Sequence, residues 1–437
     1  MANRAVTKYL RAHAEPECAA LVNFPPISPQ QVLVIPAFRE TTEFAQHIAA
    51  RATSSLLVIV VINQPAGPEE PLNRELMRFF RREPVIWQND NVSLFSANEG
   101  TLHWLVVDRF SAGRTIDIKQ GVGLARKVGC DLAAALMTAG YGQATWICST
   151  DADATLPDDY FPALESCAAD TVAAVFSVEH QAFTVEHQAF TVEHMAFTEE
   201  DSPIVAATKR YERALRYYVD GLAWAGSPYA FPTIGSALAV RLQAYCECRG
   251  FPRKPAGEDF YLLNKLAKLG RVHWLTDVVI SVKARLSDRV PFGTGPAVQK
   301  ILALADPAEF TYYAPDSFVE LRTWLNYIPR IWPQIHKNRD PLEGLPDYLQ
   351  QILREAGIET LWAHIQRQVS GPAQCETSVH HWFDAFQTLK FIRRLQDMRY
   401  PALPLEQCLQ LAPFYSDNYP ENHPDNAYQE NASCRTL

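Results

Sequence analysis

Thr145-Trp146-Ile147-Cys148-Ser149-Thr150-Asp151-Ala152-Asp153 is the stretch on which the fold of this chain turns. An apolar run of strand length ends in two aspartates separated by one residue. At the C-terminal end of a parallel strand, such a pair presents hard oxygen ligands at a sheet edge, where a divalent cation can hold a diphosphate. On its own the pair says little, because most such pairs are solvated turns or helix caps. Its meaning depends on its surroundings.

Upstream, residues 31–37 form an apolar run stopped by Pro36, and residues 41–52 have helical spacing with Thr41 as the expected cap. Leu56–Ile62 is a second apolar run, ended by Asn63-Gln64-Pro65. Two strands apolar throughout, with a helix between them, are the pattern of a parallel strand–helix–strand unit. Gly121–Thr138 (helix), Thr145–Cys148 (strand), Tyr160–Ala168 (helix) and Val172–Val178 (strand) continue it. The first ~180 residues therefore predict an open α/β sheet, mostly parallel and flanked by helices.

Downstream, a helix is expected after Ala207, with Tyr211, Leu215, Tyr218 and Leu222 on one face. Residues 227–240 and 272–284 read as loop plus strand, and residues 257–270 between them as a helix stopped by Gly270. From about Pro307 the apolar period is helical, as in Trp382, Ala385, Phe386, Leu389 and Ile392. The expected organisation is an α/β domain over 1–300, a helical C-terminal region over 301–415, and a disordered tail over 416–437. Residues 178–198 repeat one heptapeptide three times (VEHQAFT, VEHQAFT, VEHMAFT). A helical stripe of His180, His187 and His194 would suit a metal or a pH sensor. Near-identity of the copies points instead to a duplication that lengthens a loop or helix, and three units are too few for a solenoid.

Composition narrows the classes. The chain has 437 residues, 48% of them hydrophobic and 20% charged, as in ordinary globular proteins. A net charge of -9 with no basic block argues against a nucleic-acid partner. The longest apolar run, Leu56–Ile62, is far short of the ~20 residues a membrane span needs, which leaves peripheral association as the only membrane role. The N-terminus lacks an apolar signal region. The nine cysteines are scattered without a C-x-x-C pair, as expected of reduced thiols in a cytoplasmic protein.

Four further segments bear on the aspartate pair. They are Ile35-Pro36-Ala37-Phe38-Arg39-Glu40, the basic helix start Lys119–Gly129 carrying Arg126, the acidic pair Glu258-Asp259 after Gly257, and Ala284–Gly295 with Arg289 and Gly293-Thr294-Gly295. In this order and spacing they resemble the nucleotide-diphospho-sugar glycosyltransferases of the GT-A fold, and within them family 2. That family shows an I-P-x-x-x-E first strand, a G-x-x-x-A-R-N-x-G helix, a D-x-D strand end, an E-D helix start and an S-x-R…G-x-G tail. The resemblance covers about residues 30–300 and does not extend to the helical region.

The resemblance implies a GT-A sheet and transfer of a sugar, hexosyl by expectation, from a nucleotide-diphospho-sugar donor to an acceptor hydroxyl, with inversion by direct displacement. It implies Mg²⁺ or Mn²⁺ held by Asp151 and Asp153. Glu40 and Asn63 would lie near the nucleoside, and Lys119, Arg126, Asp151 and Arg289 near the diphosphate. Asp259, or in second place Glu258, would be the general base. Retention, as in synthases of small glycosides such as glycosylglycerates, is the mechanistic alternative, and a nucleotidyltransferase the rival class. The sequence departs from the pattern at Asn63, where an acidic residue is usual, and at Lys127, where Asn is usual. No histidine follows the acidic pair as a third metal ligand. Trp224 and Ser227-Pro228-Tyr229 are candidates for the acceptor side or, equally, for core packing.

The chemistry agrees with this reading on its own terms. A departing nucleoside diphosphate gains negative charge that cations stabilise, and an acceptor hydroxyl needs a carboxylate base at neutral pH. Gly121-x-Gly123 follows a polar run and lacks the full dinucleotide fingerprint, and Gly293-Thr294-Gly295 lacks the G-K-[ST] of a P-loop.

Overall fold

The computed structural model describes residues 4–52, 54–181, 202–286 and 293–415. Copies two and three of the heptapeptide, Arg289 and the tail 416–437 lie outside the described residues. The first copy begins inside a strand, where Val178, Glu179, His180 and Gln181 pair with Ile280, Ser281, Val282 and Lys283.

Ten strands form one sheet: β1 (Gln31–Ala37), β2 (Leu56–Asn63), β3 (Val85–Asn89), β4 (Val92–Ala97), β5 (Leu102–Arg109), β6 (Trp146–Ser149), β7 (Ala154–Thr155), β8 (Thr171–Gln181), β9 (Leu238–Arg241) and β10 (Arg271–Lys283). Their order is β3-β4-β5-β2-β1-β6-β9-β8-β10-β7. Strands β5, β2, β1 and β6 run parallel, while β9 is inserted antiparallel between β6 and β8. This is the mostly parallel, helix-flanked sheet that the sequence predicts. Every residue of β2 is buried, as expected of a strand covered on both faces.

The helix Gly121–Thr138 packs across β1, β2 and β6. Gly129 permits the approach, since a Cβ there would lie 2.4 Å from Val34 Cγ1. The glycines at the helix start have a packing role of the same kind. Gly123 donates its N–H to the Lys254 carbonyl at 3.0 Å, and a Cβ on it would meet the Pro252 and Lys254 backbone at 2.5–2.7 Å. The strap 252–255 is thereby drawn onto the helix start, and the acidic helix Glu258–Leu266 begins just beyond it. Lys127 is buried one turn further along. It donates to Asp131 at 2.8 Å and to the Tyr9 hydroxyl at 2.6 Å, and Asp131 also accepts from Tyr245 and from the Glu15 N–H. The departure from the family pattern at Lys127 thus lies in a buried network that ties the helix Arg4–Ala12 to the sheet domain.

The described chain divides into two compact units, Met1–Lys209 with Thr233–Gln299, and Arg210–Pro232 with the chain from Lys300 onward. The second unit is helical, as expected, and its core includes Phe318, Trp324, Ile331, Leu349, Ile365 and Ile392. Trp224 and Tyr229 belong to this unit. Tyr229 is buried and donates to the His380 carbonyl at 3.0 Å, and the Trp224 ring lies under the Arg322 guanidinium at 4.4 Å. No helix among the described residues is long and apolar enough to cross a membrane. A Gly123→Ala substitution is expected to destabilise the protein by about 1–3 kcal/mol, because backbone rather than a mobile side chain blocks the new methyl. Urea denaturation measures it.

Candidate active site

β1 and β6 are adjacent and parallel, and the candidate residues gather at their C-terminal ends. The Thr150 N–H donates to the Val34 carbonyl at 3.0 Å, and its hydroxyl to the Ser236 carbonyl at 2.8 Å. Thr150 is buried, so β6 is held to its last residue and Asp151 emerges at the crevice where ligands of open α/β sheets bind. Asp153 is placed separately. Its carbonyl accepts the Lys283 N–H at 3.1 Å, and Ala154 pairs with Val282, so the short β7 fastens this carboxylate beside the end of β10.

Arg126 is the hub. Its side chain is 3% exposed. Nε donates to Glu258 at 2.8 Å, Nη2 to Asp151 at 2.5 Å, and Nη1 to the Ser149 hydroxyl at 3.0 Å. Burial opposes the guanidinium charge, but the facing carboxylates of Asp151 and Glu258 outweigh it and raise its pKa. Gly235 leaves room for the group, since a Cβ there would sit 2.7 Å from Nη2.

A second cation stands opposite. Arg285 Nη2 lies 2.6 Å from Asp153 and 2.8 Å from Glu40, bridging the turn after β1 to the aspartate pair. Burial raises the Asp153 pKa, and Asp151 and Glu40 add to the rise, while Arg285 opposes it. Glu40 is set by a braced turn. Arg39 has φ 56°, a region non-glycine residues rarely adopt, and its N–H is held by Asn73 Oδ1 at 3.1 Å. Asn73 in turn donates to the Asn63 carbonyl at 3.1 Å.

Asp259 follows Glu258 at the helix start. Burial and the neighbouring Glu258 push its pKa up to about 7, against the Phe260 N–H donated to its carboxylate at 2.7 Å and the charge of Arg126. A carboxylate poised there suits proton abstraction at neutral pH. Glu258 is itself buried and committed to Arg126.

Among the described residues, Glu40, Asp151, Asp153, Glu258 and Asp259 thus gather around two guanidinium groups, those of Arg126 and Arg285. Asn63 lies at the end of β2, where its amide nitrogen donates to the Ala37 and Val61 carbonyls. Lys119 is exposed in the turn before Gly121. Gly293 precedes a helix, Thr294–Leu302, so Thr294 and Gly295 of the G-x-G tail lie in that helix. Arg285 and Asn73 had no role assigned from sequence. Arg285 stood within a quoted stretch, but its partner Glu40 is 245 residues away in the chain.

No protein-family model matches the chain, and no curated protein matches it. Solved structures of S. aureus TarS are similar in part. TarS 1–349 in complex with UDP-GlcNAc shares 12% identity at a TM-score of 0.33, with 84% of this chain and 80% of that chain covered. TarS 1–349 in complex with UDP shares 10% at a TM-score of 0.34, covering 81% and 89%. At TM-scores this low the likeness decides nothing about the chemistry of the site.

Arg126→Met is expected to destabilise the fold by about 3–5 kcal/mol, because it strands buried carboxylates without a counter-charge. Adding Glu258→Gln should recover part of that loss, a non-additivity that denaturant unfolding of the two single variants and the double variant measures.

Proposed function

We propose that the chain is a glycosyltransferase that moves a sugar from a nucleotide-diphospho-sugar to an acceptor hydroxyl, by single displacement with inversion. The observation that carries this reading is the placement of Asp259, its pKa near 7, one residue from Glu258 and across Arg126 from Asp151 at the end of β6. One arginine thereby links the base helix to the aspartate pair, so the acceptor's proton and the donor's leaving group would be handled a few residues apart.

The donor set fits a divalent cation. Asp151 and Asp153 supply hard oxygens, and among the described residues the five carboxylates of the cluster outnumber its two guanidiniums. Among the described residues no group of three His, Cys, Asp or Glu side chains is poised to hold a metal alone. That matches an ion bound by one or two carboxylates and completed by substrate phosphates. Bound there with the donor, the ion would supply charge stabilisation to the leaving diphosphate.

The chain's own residues do the rest. Arg126 keeps Asp151 and Glu258 in fixed positions and adds positive charge beneath the diphosphate. Asp259, without a guanidinium partner among the described residues, takes the proton from the acceptor hydroxyl as that oxygen attacks the anomeric carbon. Glu40, in the turn after β1, lies on the donor side.

The Asp259→Asn variant is expected to bind nucleotide sugar but to lose transfer by ~10²–10⁴-fold. The wild-type rate should rise with pH through about 7, because the base is protonated and idle below that value. The variant's residual rate should lack that rise. Asp153→Ala should lose donor hydrolysis. These are read from steady-state rates over a panel of nucleotide sugars with Mn²⁺, and failure of the wild type to bind any of them would remove the reading.

A further inference from the structure

The two guanidiniums of the site are held differently. Arg126 is 3% exposed and is fixed by Asp151, Glu258, the Ser149 hydroxyl and the Thr150 carbonyl. Arg285 is 34% exposed, stands just past the end of β10, and bridges two carboxylates, Asp153 and Glu40. Arg126 is therefore a structural cation. Arg285 reaches solvent and can change partners, provided that the carboxylates it leaves, Asp153 and the buried Glu40, gain other positive charge.

We propose that Arg285 is a resident counter-cation that holds Asp153 and Glu40 until a nucleoside diphosphate arrives, then passes to the diphosphate and releases Asp153 to the divalent ion. The inference rests on the donor reading above. A cation arriving alone must displace a charge-assisted hydrogen bond of 2.6 Å and then sit beside the displaced guanidinium. A diphosphate removes both obstacles. It offers the planar guanidinium of Arg285 a bidentate acceptor and adds the negative charge that the extra cation needs. Cation and nucleotide thus bind as a pair, each raising the affinity of the other by the same factor. Arg285 is a donor-binding and positioning residue in this scheme, and takes no part in proton transfer.

The test is Mn²⁺ binding to the full chain, followed by the loss of the free-ion EPR signal. It uses Mn²⁺ alone and Mn²⁺ with UDP, GDP, ADP, CDP or dTDP, each corrected for nucleotide without protein. Wild type should bind Mn²⁺ about tenfold more tightly when its nucleotide is present. Arg285→Met should bind Mn²⁺ alone about tenfold more tightly than wild type and lose most of the nucleotide enhancement. Arg285→Lys keeps the charge but cannot span both carboxylates, and should fall between. That variant carries the test if the methionine variant does not fold.

Unchanged Mn²⁺ affinity and unchanged enhancement in the folded variants, with nucleotide still bound by wild type, would overturn the role of Arg285 and leave the donor reading standing. A wild type that binds none of the nucleotides would remove the donor reading and this inference together.

Discussion

The buried guanidinium of Arg126 is the constraint on which the site depends. It joins three parts of the chain that are remote in sequence: the helix Gly121–Thr138, the end of β6 and the start of the helix Glu258–Leu266. A guanidinium that is 3% exposed is tolerable only if its donors are matched by acceptors at good geometry. That requirement fixes Asp151 and Glu258 relative to each other. The glycines serve the same end. Gly123 admits the strap 252–255, and Gly235 leaves room for the arginine head. The acidic helix start reaches Arg126 because backbone lies against backbone beside it.

Charge is unevenly distributed in the crevice. Among the described residues, Asp151 and Glu258 pair with Arg126, Glu40 and Asp153 pair with Arg285, and Asp259 lies beside them. Burial raises the pKa values of Asp153 and Asp259, and repulsion from neighbouring carboxylates adds to the rise. The consequences differ with position. Among the described residues Asp259 makes no ion pair with a guanidinium and its pKa is pushed up to about 7, whereas Asp153 is paired with Arg285. The hard oxygen donors of this cluster are the feature from which the divalent ion is proposed.

Much of the fold was legible in the chain. β1, β2 and β6 are short apolar runs with polar stops, and the helix Gly121–Thr138 has its expected bounds. The stretch holding β3 and β4 was not read as strands. β3 is an edge strand with Val85 and Ile86 exposed, so its pattern carries no buried face. The insertion of β9 between β6 and β8 was equally hidden, since pairing order depends on contacts far apart in sequence. Thr42, rather than Thr41, stands at the N-cap of the helix Glu43–Arg51, and it makes no side-chain capping bond.

The candidate site divides along the same line. The sequence by itself determined which residue types stand at strand ends and helix starts: Glu40 after β1, Asp151 and Asp153 after β6, Glu258 and Asp259 after Gly257. Local spacing suffices for that, because a strand that stops must leave its next side chains at the sheet edge. Only the tertiary structure decided who faces whom. It turned Glu258 inward as the partner of Arg126, placed Asp259 where burial raises its pKa, braced the Glu40 turn through Asn63 and Asn73, and brought Arg285 from the far end of the domain onto Asp153 and Glu40. Partner choice among buried charges is set by a three-dimensional balance of desolvation and Coulomb attraction, and sequence spacing does not encode that balance.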